Sequence, residues 1–328
     1  MCNVYQLHWK QFMKFRKIAT LAILGSALWS FGASAQDLSL GLLSVASPQA
    51  LRAQWEPLVT DLNKKTGLNV TLYFANNYAG IIDAMRENKV QVAHLGNKSA
   101  MEAVDKANSE VFVQLVPADG IVGYTSHLIV HASSNIKDVN DVIKNAKNLS
   151  FGNGDVNSTS GYLVPEYYVW SKAGIDTKTG FRASRNANHE ANALAVANRQ
   201  VDLATNNSTD LRKFQSNYPD KFKDIRIVWT SPLIPPDPMM MRKDLAPATA
   251  AKIKSFFLSY GADEREQKNL LNLDNIKGFK ESSDKQLTPI RQLDLFSKKS
   301  KLQADATVSD ADKQTQLAEI DKKLKALE

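Results

Sequence analysis

From Leu38 onward, apolar residues alternate between short continuous runs and three-to-four spacing, which predicts strands and helices taking turns along the chain. Leu38 to Leu43 predicts a strand, and Leu51, Trp55, Leu58, Val59 and Leu62 share one helical face that Pro57 kinks or restarts. Val70 to Phe74, Val90 to Leu95 and Val111 to Val116 read as strands, with helices over Tyr78 to Asn88 and Lys98 to Ala107 between them. Thr125 to Val130 adds a last apolar run. A second series opens after Asn135. It runs through a helix from Val139 to Asn145, a strand ending at Gly152, helices over Tyr162 to Lys172 and Glu190 to Asn198, and strands over Val201 to Thr205 and Ile225 to Trp229. The chain then returns through Pro232 to Pro238 to a helix, Pro247 to Tyr260, that packs through Ile253, Phe256 and Phe257. Two βαβ series predict an α/β protein of two lobes, one from 36 to 130 with 238 to 296 returning to it, the other from 131 to 237, with a hinge in the connections.

Both ends of the chain depart from this pattern. Residues 1 to 35 carry Lys10, Lys14, Arg16 and Lys17, then an apolar run from Ile18 to Gly32, then Ala33-Ser34-Ala35. That order is the pattern of a secretory signal peptide, with cleavage expected before Gln36 and either Met1 or Met13 as the start. The apolar run is shorter than the ~20 residues a spanning helix needs. Losing four cations and no acid takes the formal charge from +7 to +3, which excludes a nucleic-acid footprint. Cys2 leaves with the leader, so the exported chain has no thiol for a disulfide, a nucleophile or a metal. At the other end, a polar linker from Ser297 to Thr307 leads to a helix capped by Ser309, in which Leu317, Ile320, Leu324 and Leu327 keep four-three spacing. Such a stripe either joins two copies as a homodimer or packs back on its own domain.

The stretch richest in chemistry is Leu149 to Val164. A strand ending at Gly152 gives way to a Gly/Asn/Asp/Ser/Thr loop and then a helix, with Ser158, Thr159 and Ser160 at N-cap positions. The first amides of a helix have no partner one turn back, so hydroxyls and amides can converge on one anion. Pro165, which has no amide, sets the start of the hydrogen-bonded ladder near Gly161. No Lys or Arg lies between Gly152 and Val164, so an anion here is held by neutral dipoles, in the manner of a reversible binder. Other polar residues also follow predicted strands: Tyr78, Asn97, Asn206, Asn207 and Asp237. Open α/β sheets bind ligands outside the carboxyl ends of their strands.

Several chemistries lack their residues. Gly152-Asn-Gly154 has no third glycine for a dinucleotide fingerprint, and no Lys-Ser/Thr pair follows Gly161 for a P-loop. His189-Glu190 begins a zinc-protease motif, but Ala193 stands at its last position, and His94, His127, His131 and His189 have no metal spacing. No Gly-x-Ser-x-Gly elbow occurs. The residues point to a non-enzymatic receptor without metal or cofactor.

Gly152-Asn-Gly-Asp-Val-Asn-Ser-Thr-Ser-Gly-Tyr-Leu-Val-Pro165 resembles the periplasmic phosphonate-binding proteins of bacterial ABC importers. So do Tyr78-Ala-Gly-Ile-Ile82, Gly96-Asn-Lys-Ser-Ala-Met-Glu-Ala103, His189-Glu-Ala-Asn-Ala-Leu-Ala-Val-Ala-Asn198, Ala204-Thr-Asn-Asn207 and Ser231-Pro-Leu-Ile-Pro235. The resemblance implies a two-lobed type II periplasmic binding fold that presents a captured (amino)alkylphosphonate, such as 2-aminoethylphosphonate, to an inner-membrane permease. It assigns Ser158, Thr159, Ser160, Tyr78, Tyr124 and His189 to the phosphonate and Asp237 to an ammonium. Members that take 2-aminoethylphosphonate have a glutamate where Thr209 stands, which leaves one carboxylate missing unless Asp210 serves. The alternative readings are a receptor for another tetrahedral anion or phosphate ester, and a secreted phosphonate or phosphoester hydrolase.

Overall fold

The computed structural model describes residues 37–328, so the leader expected over residues 1 to 35 lies outside the described residues. The first lobe opens with β1 (Asp37–Leu42), α1 (Pro48–Thr66), β2 (Asn69–Phe74), α2 (Tyr78–Arg86), β3 (Val92–His94), α3 (Asn97–Lys106) and β4 (Ser109–Pro117). The helix α1 runs unbroken through Pro57; its ends are set by Ser47, whose hydroxyl accepts from the Ala50 amide, and by Gly67 in a left-handed conformation at φ 68°. Next come β5 (Ser126–His131), α4 (Val139–Asn145), β6 (Ser150–Asn153), β7 (Ala183–Asn186), α5 (His189–Ala197), β8 (Leu203–Asn207), α6 (Ser208–Asn217), α7 (Pro219–Phe222) and β9 (Ile225–Thr230). The chain finishes with β10 (Pro238–Arg242), α8 (Pro247–Ser259), α9 (Glu264–Asp274), β11 (Ile276–Glu281), α10 (Thr288–Ala304) and α11 (Asp310–Lys325).

The strands form two sheets, in the orders β11-β4-β10-β3-β1-β2 and β7-β6-β8-β5-β9. The central strands of each sheet bury side chains on both faces, since successive side chains point to opposite sides. Leu38, Leu40 and Leu42 pack with Trp55 and Phe257 on one face of the first sheet, while Ala93 and Leu95 meet Ile81 and Met85 on the other. In the second sheet Leu128 and Val130 pack with Phe151 and Trp170, and Ile129 between them packs with Val196 and Phe214. β5, expected to close the first series, instead lies antiparallel between β8 and β9 of the second sheet. The change of sheet therefore precedes Ser126 rather than falling near Val130; an apolar run alone does not say which sheet receives it.

The chain passes between the sheets twice, after β4 and after β9. The two passages lie side by side: the Tyr124 amide donates to the Ile234 carbonyl at 3.0 Å, and the Ile234 amide donates back at 2.7 Å. Gly123 makes this approach possible, since a Cβ there would lie 2.2 Å from the Ile234 carbonyl oxygen.

Two further elements differ from expectation. The helix after β6 starts at Thr159 rather than Tyr162, and it is wide-turned over Thr159–Leu163 and Glu166–Trp170, with five-residue bonds such as Leu163 amide to Ser158 carbonyl at 3.1 Å. Trp170 at its far end stacks edge-on against Phe151 of β6 at 5.2 Å, fixing the helix to the strand it follows. The expected linker from Ser297 is helical through Ala304, as part of α10. α11 folds back on α10 as an antiparallel hairpin, with an ion pair Lys299–Asp321 at 2.5 Å and a Gln292 side chain donating to the Leu327 carbonyl. Leu317, Ile320, Leu324 and Leu327 are only half-buried in this hairpin, and the homodimer is not supported. Among the described residues no helix is long and apolar enough to cross a membrane.

Because the Ile234 carbonyl is backbone and cannot swing aside, Gly123→Ala should destabilise the protein by about 1–3 kcal/mol. An unchanged unfolding midpoint in a denaturant titration would show that the paired passages tolerate separation.

Candidate functional site

Between the sheets lies a cavity of about 200 Å³. The second sheet contributes a hydroxyl-rich wall. β6 ends at Asn153, the chain turns, and the Gly154 amide donates to the Gly161 carbonyl at 3.0 Å. A Cβ on Gly154 would sit 2.5 Å from the Gly161 carbonyl carbon, so the loop closes only on a glycine. Ser158, Thr159 and Ser160 then face the cavity from the start of the wide-turned helix, where the first amides have no carbonyl behind them. His189 joins them from the first position of α5, its Nε2 3.5 Å from the Ser158 hydroxyl. The first-sheet side contributes Tyr78, the first residue of α2. Tyr124 stands on the passage between the sheets, its hydroxyl close to Asp237 and Thr159.

Each of the three hydroxyls also has a structural partner. Ser158 Oγ caps its helix by accepting from the Gly161 amide at 2.9 Å. Thr159 Oγ1 accepts from the Lys98 amide of α3 at 2.8 Å, joining the two sides of the cavity. Ser160 Oγ accepts from Asn207 at 3.2 Å. A hydroxyl that accepts from the protein keeps its proton to donate, which suits it to an anion.

Burial sets the charge state of the cradle. Desolvation pushes the Tyr78 and Tyr124 hydroxyls well above their ordinary range, and nearby carboxylates add to it, so both stay protonated donors. Desolvation also lowers the pKa of His189 against the opposing pull of Asp210, which leaves a neutral imidazole. The cradle therefore offers dipoles and no cation.

The other end of the cavity is charged. Asp237 enters from just before β10, whose antiparallel course beside β3 brings its first residues to the carboxyl ends of the neighbouring parallel strands. Desolvation and the charge of Asp274 push the Asp237 carboxyl up to about 8, although the nearby Tyr124 hydroxyl opposes this. Asp210 on α6 accepts from Asn207 at 2.6 Å and lies 3.9 Å from His189 Nε2. Thr209 and Asn207 line the cavity beside it. Lys213, one turn further along α6, pairs with Asp274 at 2.5 Å and approaches Asp210 at 4.0 Å. His94 completes this end 4.0 Å from Asp274, with a pKa lowered by burial to about 4.

Of the residues the sequence brought forward, Asn97 and Asn206 stand behind the cavity wall rather than on it. Asn97 donates to Asp237 Oδ1 at 3.2 Å and to the Pro235 carbonyl at 2.8 Å, orienting the carboxylate. Asn206 donates to the His189 carbonyl at 2.9 Å, fixing the start of α5. Sequence reasoning missed Lys213, Asp274 and His94. Asn207 followed three residues later by Asp210 is a helix-start signal that would have placed Lys213 on the same helix; nothing local points Asp274 at the cavity. Among the described residues no cluster of His, Cys, Asp or Glu is arranged to hold a metal.

Residues 40–287 match the model of a family described as the periplasmic substrate-binding protein of a phosphonate ABC transporter. The chain is 48% identical over 291 residues to the phosphonates-binding periplasmic protein of Escherichia coli (strain K12), covering 89% of this chain and 86% of that one. It resembles the solved structure of a binding protein component of an ABC phosphonate transporter from Pseudomonas aeruginosa. That match has 44% identity and a TM-score of 0.87 over 89% of this chain and 96% of that one. PhnD1 from Prochlorococcus marinus, solved with methylphosphonate, is alike in fold at 24% identity and a TM-score of 0.69, over 78% of this chain and 96% of that one.

Two consequences of the geometry are measurable without a ligand. Ser158→Ala removes a helix cap and should cost about 0.5–2 kcal/mol of stability in a denaturant titration. Asp237 has a folded pKa of about 8 against an ordinary 3.8, so the folded state holds its proton more tightly than the unfolded chain. The stability this provides is complete below about pH 4 and is lost as pH rises toward 8. Asp237→Asn should therefore melt progressively above the parent between pH 5 and pH 8.5; parallel melting-temperature curves for the two proteins would refute the perturbed carboxyl.

Proposed function

The chain belongs to the periplasmic substrate-binding proteins of phosphonate ABC transporters, and from that premise we propose that it captures short (amino)alkylphosphonates, 2-aminoethylphosphonate among them. As a member it is a binding component and not an enzyme, its family is periplasmic, and the membrane part of the transporter is its partner. Export through cleavage of the leader before Gln36 belongs to the same proposal.

One observation carries the ligand reading: neutral donors from both sheets converge on a single cavity. Ser158, Thr159 and Ser160 with their amides face Tyr78 and Tyr124, and His189 closes the ring. A dianionic phosphonate buried among such donors exchanges water for fixed hydrogen bonds, each to a charged group and each contributing about 1.5–3 kcal/mol. Leu43, Leu115 and Ile276 give the cavity an apolar wall against which an alkyl tail can lie. Asp237 is the carboxylate within reach of an amine, and a ligand cation beside it would draw its pKa down and release its proton. The phosphate-import protein of Mycolicibacterium smegmatis, 27% identical over 232 residues, makes inorganic phosphate the competing ligand to measure.

Calorimetry with methylphosphonate, ethylphosphonate, 2-aminoethylphosphonate and inorganic phosphate tests the reading. We expect one-to-one binding of the phosphonates with the ligand recovered unchanged, and phosphate weaker by at least about tenfold for want of the tail. Phosphate binding as tightly as the phosphonates, or free phosphate appearing during the titration, would overturn it. Tyr78→Phe should weaken every phosphonate by about 1.5–3 kcal/mol and leave unfolding little changed, since it deletes one donor at the head.

A further inference from the structure

The cradle leaves the ammonium of Lys213 unused. Its side chain is only 20% exposed, and its partner Asp274 only 7%. Asp274 is the last residue of α9, where the helix dipole disfavours a negative charge, so the carboxylate depends on a nearby cation. Lys213 supplies it at 2.5 Å from the other side of the cavity and reaches Asp210 at 4.0 Å. The other cation on the cavity wall, Arg212, is turned to the rim, where it pairs with Asp119 at 3.3 Å and is 45% exposed. The far end of the cavity thus holds Asp210, Asp237 and Asp274 around one resident ammonium. Burial alone would strip Lys213 of its proton, but Asp274 and Asp210 outweigh it and hold the group charged.

We propose that Lys213 is a specificity-determining residue of the phosphonate site: its ammonium fills the place of a ligand amine, so the protein takes short phosphonates without an amine as readily as aminoalkylphosphonates. The inference rests on the phosphonate reading of the cavity. An alkyl tail leaves the Lys213–Asp274 pair intact. An ammonium tail gains Asp237 but must lie beside a like charge and share Asp210 and Asp274 with it, and like charges set together in a desolvated site repel strongly. Removing the Lys213 charge reverses the balance, because two buried carboxylates then lack a counter-ion that only an amine-bearing ligand can provide.

The test is the ratio of affinities for 2-aminoethylphosphonate and ethylphosphonate, measured by calorimetry at one pH. The parent should bind the two within about threefold, a difference of less than 1 kcal/mol. In Lys213→Met, whose side chain is of similar length without the charge, the ratio should move toward 2-aminoethylphosphonate by at least about tenfold. Asp274→Asn, which frees the Lys213 ammonium, should move it toward ethylphosphonate, and this variant decides the matter if Lys213→Met does not fold. A parent that already prefers the amine by more than about tenfold, a ratio unmoved in the variants, or equal loss of both ligands in Lys213→Met would each overturn the inference. The last outcome would mean that Lys213 serves the phosphonate head. A parent that binds neither phosphonate overturns the phosphonate reading and this inference with it, whereas binding with the wrong ratio overturns this inference alone.

Discussion

The pair of hydrogen bonds between Tyr124 and Ile234 is the constraint on which the site depends. It ties the outgoing and returning passages of the chain together, so the two sheets are joined by a double connection rather than by two independent loops. The same pairing sets the Tyr124 hydroxyl beside Asp237, three residues past Ile234. Gly123 is the local condition for it. With the passages fixed, the remaining contacts across the cavity fall into reach: the Lys98 amide on Thr159, the Tyr78 amide on Asp155, the Glu190 amide on the Val45 carbonyl, and Lys213 on Asp274. None is large alone. Together they give the cavity two walls with a defined separation.

The cavity divides electrostatically into an end made of dipoles and an end made of charges. Neutral donors suit a ligand that must later be released, because they satisfy an anion without the deep minimum that paired cations would create. The carboxylates at the other end oppose any dianion brought close, and two features moderate this. Asp237 holds its proton to a much higher pH than an exposed aspartate, and Lys213 neutralises Asp274. Charge is thereby kept from accumulating beside the neutral donors.

Much of the site's accuracy comes from amides behind the wall. Asn97 orients Asp237 and is itself held by Gln286, whose side chain donates to Asn97 Oδ1 at 3.0 Å. Asn206 and Asn207 fix the start of α5 and the Ser160 hydroxyl. The Ser158 and Thr159 hydroxyls also cap and bridge, so a substitution there affects folding as well as the cavity wall.

The sequence by itself determined what is local. The alternation of apolar periods marked the strands and helices of both sheets, because side-chain direction repeats within a few residues whatever the partner. The cradle was legible for the same reason: a capping hydroxyl, a proline without an amide and the glycines of a tight loop act on their own backbone. Its residues, Ser158 to Ser160, with Tyr78, Tyr124, His189 and Asp237, do line one cavity. What pairs over a distance was not legible. Nothing local told Ser126–His131 to join the second sheet, or β10 to run antiparallel and so bring Asp237 to the strand ends. Nor did it say that Asn97 and Asn206 would support the wall instead of forming it. The Lys213–Asp274 pair joins residues 61 positions apart on two helices whose lengths of chain show only surface-like polarity. A charged side chain reads as solvated until tertiary packing removes the water around it, so only the fold could turn these two into part of the site.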